Sequence, residues 1–129
     1  MSYPSLQWKS INDVDEFEHI IEGSRHKPVL IFKHRPASPE SVQVKRSLEE
    51  EWTISPDILD MYLVDVMTQK EVSAEATDAA GVSDEFPQVF LFADGVTMYD
   101  ESHEMINVKK IKIALKIINR TFRWLDTRV

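Results

Sequence analysis

Residues 28–48 read Pro-Val-Leu-Ile-Phe-Lys-His-Arg-Pro-Ala-Ser-Pro-Glu-Ser-Val-Gln-Val-Lys-Arg-Ser-Leu, and this stretch decides the fold. Val29, Leu30, Ile31 and Phe32 form an unbroken apolar run rich in β-branched and aromatic side chains, as expected of a strand covered on both faces of a sheet. Pro36 and Pro39 break the chain beyond it into a tight loop. Ser38 before Pro39 reads as a helix start, with a hydroxyl at the N-cap, proline at the first helical position and Glu40 facing the positive end of the macrodipole. A side chain at position 38 therefore sits where backbone N–H groups favour negative charge, a place suited to a nucleophile or a bound anion. The helix then presents Val44, Leu48 and Trp52 on one face until Pro56 ends it.

Working outward, Trp8-Lys9 reads as the end of a short edge strand. Ser10 and Asp13 make a capping pattern before Val14, Phe17, Ile20 and Ile21, and Gly23 closes that helix. Met61–Met67 is a second apolar strand, with Asp65 as a strand-end carboxylate rather than a catalytic one. A short alanine-rich helix over 70–80 stops at Gly81. Strands at 88–93 and 96–100 are joined by Asp94-Gly95, which supplies the positive φ that a tight hairpin needs. A last helix runs from Val108 towards Trp124. Single strands alternating with helices, then a hairpin and a final helix, predict an α/β fold with a central mixed β-sheet flanked by helices. The 129 residues suffice for one core and are too few for two ordinary domains.

With 43% hydrophobic and 29% charged residues, the composition is that of a globular protein rather than a disordered one. No run has the length of a signal-peptide core or a membrane span, so the expectation is a cytoplasmic protein without a membrane partner. The net charge is −7 and unevenly spread. Residues 109–129 carry seven basic residues against Asp126 alone, which leaves eight basic against twenty-one acidic residues elsewhere. So acidic a body argues against nucleic acid as a partner. There is no cysteine, which excludes a disulfide framework and thiol catalysis together.

The words Lys33-His34, Ser38-Pro39-Glu40-Ser41, Glu85-Phe86-Pro87-Gln88 and Ser102-His103 resemble the motifs of the bacilliredoxin-like family of the bacillithiol system (the YtxJ group), within the thioredoxin superfamily. The resemblance covers roughly residues 8–118. It implies a thioredoxin-like domain over residues 1–129, with an N-terminal extension at 1–27 and an extended C-terminal helix at 108–125. It also implies that Ser38 stands where the family has its single active cysteine. His34, Ser38, Pro39, Phe86, Pro87, Gln88, Ser102 and His103 would then line a vestigial active-site groove, with Phe86-Pro87 cis. The chain departs from the family pattern at Arg35, Pro36 and Glu40 in the loop, and at Phe86, where the family has serine. The sequence leaves open whether Phe86 faces the groove or turns into the core. An engineered cysteine-to-serine exchange would not alter its neighbours, so natural loss of the redox residue is the better account.

Serine cannot replace the thiol. A helix N-terminus supplies on the order of 1 kcal/mol, less than one pKa unit, far too little to make an alkoxide at neutral pH. Serine has no disulfide chemistry either. Its simplest role is the cap itself, worth about 0.5–2 kcal/mol. Its sharper role is to donate a hydrogen bond to a thiolate or carboxylate brought by a ligand, as serine does in some glutathione transferases of the superfamily. Nothing has metal-ligand spacing, and no Gly-x-Ser-x-Gly turn supports a serine-hydrolase reading. The expected function is thus a redox-inactive binding or interaction module without catalytic residues, metal or cofactor. The alternative is a transferase-like enzyme that binds a low-molecular-weight thiol.

In the last helix Val108, Ile111, Leu115, Ile118, Phe122 and Leu125 form one apolar stripe, and Ile113, Ile117 and Trp124 form a second. Lys109, Lys112, Lys116 and Arg123 lie mostly on the opposite side. A homodimer through this helix would cover the surplus apolar stripe and set a basic tail against an acidic body. Self-association is therefore expected, weakened when Phe122 and Trp124 are made polar. A mass near 15.0 kDa by light scattering at high micromolar concentration would refute it.

Overall fold

The computed structural model describes residues 6–122. The elements run in the order β1 (Lys9–Ser10), α1 (Val14–Gly23), β2 (Val29–His34), α2 (Pro39–Glu51), β3 (Asp60–Asp65), α3 (Lys70–Ala80), β4 (Gln88–Ala93) and β5 (Val96–Ser102). A single 3-10 turn, His103–Met105, then leads into α4 (Val108–Phe122). The sheet order is β1-β3-β2-β4-β5, with β1, β3 and β2 parallel and β4 and β5 antiparallel to their neighbours. The sheet is mixed and flanked by helices, as the element order predicts.

β2 lies at the centre because every one of its residues is buried, including Lys33 and His34. Its two faces feed two cores. On one, Leu30 and Phe32 pack with Val44 and Leu48 of α2 and Ile111, Leu115 and Ile118 of α4. On the other, Val29 and Ile31 pack with Phe17 of α1 and Val72 and Ala76 of α3. A strand covered on both sides has no solvent-facing positions, which accounts for its continuous apolar run.

Several boundaries differ from the sequence reading. The cap of α1 is Asp13, whose carboxylate accepts the Glu16 N–H at 2.8 Å, while Ser10 is taken into β1 opposite Leu63. β3 stops at Asp65 because that carboxylate folds back onto the Met67 N–H at 2.8 Å and closes the strand end. β5 extends to Ser102, which pairs with Gln88. The segment set apart as an N-terminal extension contributes β1 and α1 to the same sheet and core. In the hairpin turn, Asp94 and Gly95 both have positive φ. In α4 Val108, Ile111, Leu115 and Ile118 are buried, whereas Ile113 and Ile117 are 49% and 55% exposed. Trp124 and Leu125, which complete the two stripes, lie outside the described residues, as does the end of the helix placed at 125. No described helix is long and apolar enough to cross a membrane.

Candidate functional site around Ser38 and Phe86-Pro87

The loop after β2 leaves the carboxyl end of a parallel strand where the sheet changes direction, between β3 and β4. Such switch points are where open α/β sheets leave room for ligands. Ser38 is the N-cap of α2: its Oγ accepts the Ser41 N–H at 3.2 Å, and Pro39 occupies the first helical turn. Because the oxygen serves as acceptor, the hydroxyl proton remains available to donate. Ser38 is half-buried; Pro36, Ala37, Pro39 and Glu40 are exposed.

The second loop is fixed from below. Lys33 is wholly buried, and its ammonium contacts Thr77 Oγ1 at 2.6 Å, Gln88 Oε1 at 2.9 Å and the Asp84 carboxylate. Gln88, which pairs with Lys33 across β2 and β4, also accepts the Glu85 N–H at 3.2 Å and donates to the Ser83 carbonyl at 3.0 Å. One cation thus ties β2, α3, β4 and the 83–88 loop together. The Phe86-Pro87 peptide bond in that loop is cis.

His103 closes the site from a third side. Its N–H donates to the Pro87 carbonyl at 2.9 Å. Its Nδ1 lies 2.9 Å from Glu40 and its Nε2 2.9 Å from Glu85. A neutral imidazole offers one donor and one acceptor, so two carboxylates on its two nitrogens call for the imidazolium. The hydrogen bonds to Glu40 and then Glu85 accordingly raise its pKa above the ordinary 6.5. His103 adopts φ +60, an uncommon backbone for a side-chain-bearing residue.

His34 behaves oppositely. It is buried, stacked on Phe32, and its Nδ1 is 2.7 Å from Ser41 Oγ, which itself accepts the Arg35 N–H at 3.0 Å. Ser41 Oγ thus bridges the His34 ring and the Arg35 backbone. Burial first, and Lys45 second, hold its pKa below 6.5 against the opposing pull of Asp65 and Glu49.

Of the residues singled out in the sequence, Ser38, Pro39, Phe86, Pro87 and His103 come to one end of the sheet, linked through Glu40 and Glu85. Gln88 and His34 support that end from within and are bound to different partners, so His34 and His103 do not act as a pair. Ser102 stays in β5 opposite Gln88. Phe86 turns outward rather than into the core, with the Arg35 guanidinium 5.0 Å from its ring centroid. Lys33, Asp84, Thr77, Glu40 and Glu85 are site residues that sequence reasoning misses. One signal for them is present in the chain: β2 and β4 carry apolar runs with a polar residue at the same sheet end, Lys33 and Gln88, and two such residues need each other if both strands are central.

A family model described as Monothiol bacilliredoxin BrxC matches residues 9–111. The chain belongs to the monothiol bacilliredoxin family. Among solved structures it is similar to a putative oxidoreductase with a thioredoxin fold, at 27% identity over 81% of this chain and 90% of the other, with a TM-score of 0.71. It also resembles the Malassezia sympodialis thioredoxin Mala s 13, at 20% identity over 90% and 94% with a TM-score of 0.69, and this shows the fold alone. Fasciola hepatica thioredoxin superposes at 15% identity over 84% and 96%, TM-score 0.65. No curated protein matches the chain. As a bacilliredoxin it lacks the thiol that gives the family its name, since no cysteine is present.

This geometry sets two expected outcomes. Lys33→Met removes the buried charge and its bonds to Thr77, Gln88 and Asp84, so it should cost about 2–4 kcal/mol in urea denaturation; a loss below about 0.5 kcal/mol would contradict the anchoring role. By NMR, His103 should titrate with a midpoint above 6.5, and Glu40→Gln or Glu85→Gln should lower it. Because the folded pKa is the raised one, the stabilisation is complete below about 6.5 and fades as pH rises through the folded value. A midpoint at or below 6.5 would contradict the bridge.

Proposed function

We propose that this bacilliredoxin is a redox-inactive binding module that holds a partner at the Ser38 and Phe86-Pro87 surface in the cytoplasm without turning it over. The observation that carries this reading is the place of Ser38. Its oxygen caps α2 at 3.2 Å from the Ser41 N–H, in the loop where the resemblance places the family's thiol, and it has no redox chemistry. The surroundings that would orient a partner are the helix N-terminus, the Lys33 anchor and the His103 bracket.

The partner is a protein or a low-molecular-weight thiol such as bacillithiol. The uncommitted Ser38 proton favours keeping the second, transferase-like reading, in which the hydroxyl donates to a ligand thiolate. Calorimetry with bacillithiol, glutathione and coenzyme A at millimolar concentration separates the two, since absence of binding leaves only the protein partner.

The expected result with mixed-disulfide substrates is turnover no faster than the uncatalysed rate; faster turnover would overturn the reading. Ser38→Cys should yield a thiol with a pKa below the free value of about 8.5, because the helix N-terminus remains. A pKa at or above that value would mean the loop does not present the side chain as described.

A further inference from the structure

Two of the chain's departures from the family pattern meet in space. Arg35 and Phe86 stack at 5.0 Å and together form one wall of a groove of about 300 Å³ beside the Ser38 loop. The opposite wall is Val66 and Met67 after β3, and Lys70, Ser73 and Ala74 on the first turns of α3. Asp84 also lines the groove, and its charge is met by the buried Lys33 beneath it.

Three features of this groove point to negative charge. The first turn of α3 has no side-chain cap: Gln69, at the cap position, instead accepts the Asp65 N–H at 2.9 Å and donates to the Ile11 carbonyl. The N–H groups of that turn are left without the oxygen they ordinarily receive. Glu71, the one acid of the turn, does not line the groove. Ser73 lines it while only 7% exposed, and its hydroxyl has no hydrogen-bond partner among the described residues. Arg35 and Lys70 converge there with no ion pair among the described residues, on a chain of net charge −7. A guanidinium stacked on a ring keeps its edge free and oriented for an oxyanion.

We propose that this groove binds an oxyanion, carboxylate or phosphate, of a ligand whose neighbouring part rests on the Ser38 loop. The group would be held by Arg35, Lys70, the Ser73 hydroxyl and the first-turn amides of α3. The assignment rests on reading the Ser38 loop as a binding surface and adds the class of group recognised beside it. It also accounts for Arg35 and Phe86 together, since the ring orients the guanidinium.

The test is an NMR titration of the intact chain with inorganic phosphate and, separately, with acetate, at ionic strength held constant with chloride. The expected result is saturable shifts of the Lys70 and Glu71 amides and the Arg35 side chain with at least one probe. Saturation by phosphate alone assigns a phosphate ligand, and saturation by acetate as well assigns a carboxylate. Lys70→Gln, at an exposed position, and Arg35→Gln should each weaken binding about tenfold, the loss expected for one charge-assisted hydrogen bond. No saturable shift with either probe, or equal affinity in both variants, would overturn the proposal. Reductase turnover would overturn the binding-module reading and leave oxyanion binding standing; absent shifts with no turnover would do the reverse.

Discussion

A lysine ammonium with no solvent exposure is the constraint on which the rest of the site depends. Moving such a charge out of water costs several kcal/mol unless it is paired and fully hydrogen-bonded. Lys33 meets that demand with three oxygens from three separate places: Thr77 on α3, Gln88 on β4 and Asp84 in the connecting loop. Each partner is used further. The Thr77 hydroxyl donates a hydrogen bond to the Ser73 carbonyl at 2.9 Å, and Gln88 holds both Ser83 and Glu85. The loop that carries Phe86 and Pro87 is thereby held from below by an electrostatic requirement in the interior, and from the rim by His103.

Above that anchor the site separates two histidines by environment. His34, below the loop, has its pKa lowered by burial and by Lys45, and its partner Ser41 also helps to hold the Arg35 backbone. His103, at the rim, has its pKa raised by the carboxylates of Glu40 and Glu85. The inner ring braces the Ser38 loop and the outer one ties that loop to its neighbour. Between them lies a helix N-terminus whose field would suit a thiolate, occupied by a hydroxyl that cannot become one at neutral pH. The helix N-terminus, the buried lysine and the bracketing histidine thus surround a hydroxyl where the resemblance places a thiol.

Much of this is legible in the chain itself. Continuous apolar runs and turn residues locate the central strands, Asp94-Gly95 locates the hairpin, and Ser38-Pro39 locates the cap of α2. These signals are local: a strand period, a proline ring or a positive φ is written within a few residues. Boundaries that depend on competing partners are less legible, as when Asp13 rather than Ser10 caps α1 because Ser10 enters a strand pair.

The chain alone fixes the order of its elements, the apolar runs of its central strands and the lack of thiol–disulfide chemistry, which follows from the absence of any cysteine. Tertiary structure alone decided that Lys33 belongs to the interior, that Phe86 turns outward onto Arg35, and that Glu40, Glu85 and His103 form one bridge. Each of these joins residues between 18 and 63 positions apart. A charge's fate depends on which groups fold against it, and no pattern within a single strand or helix records that.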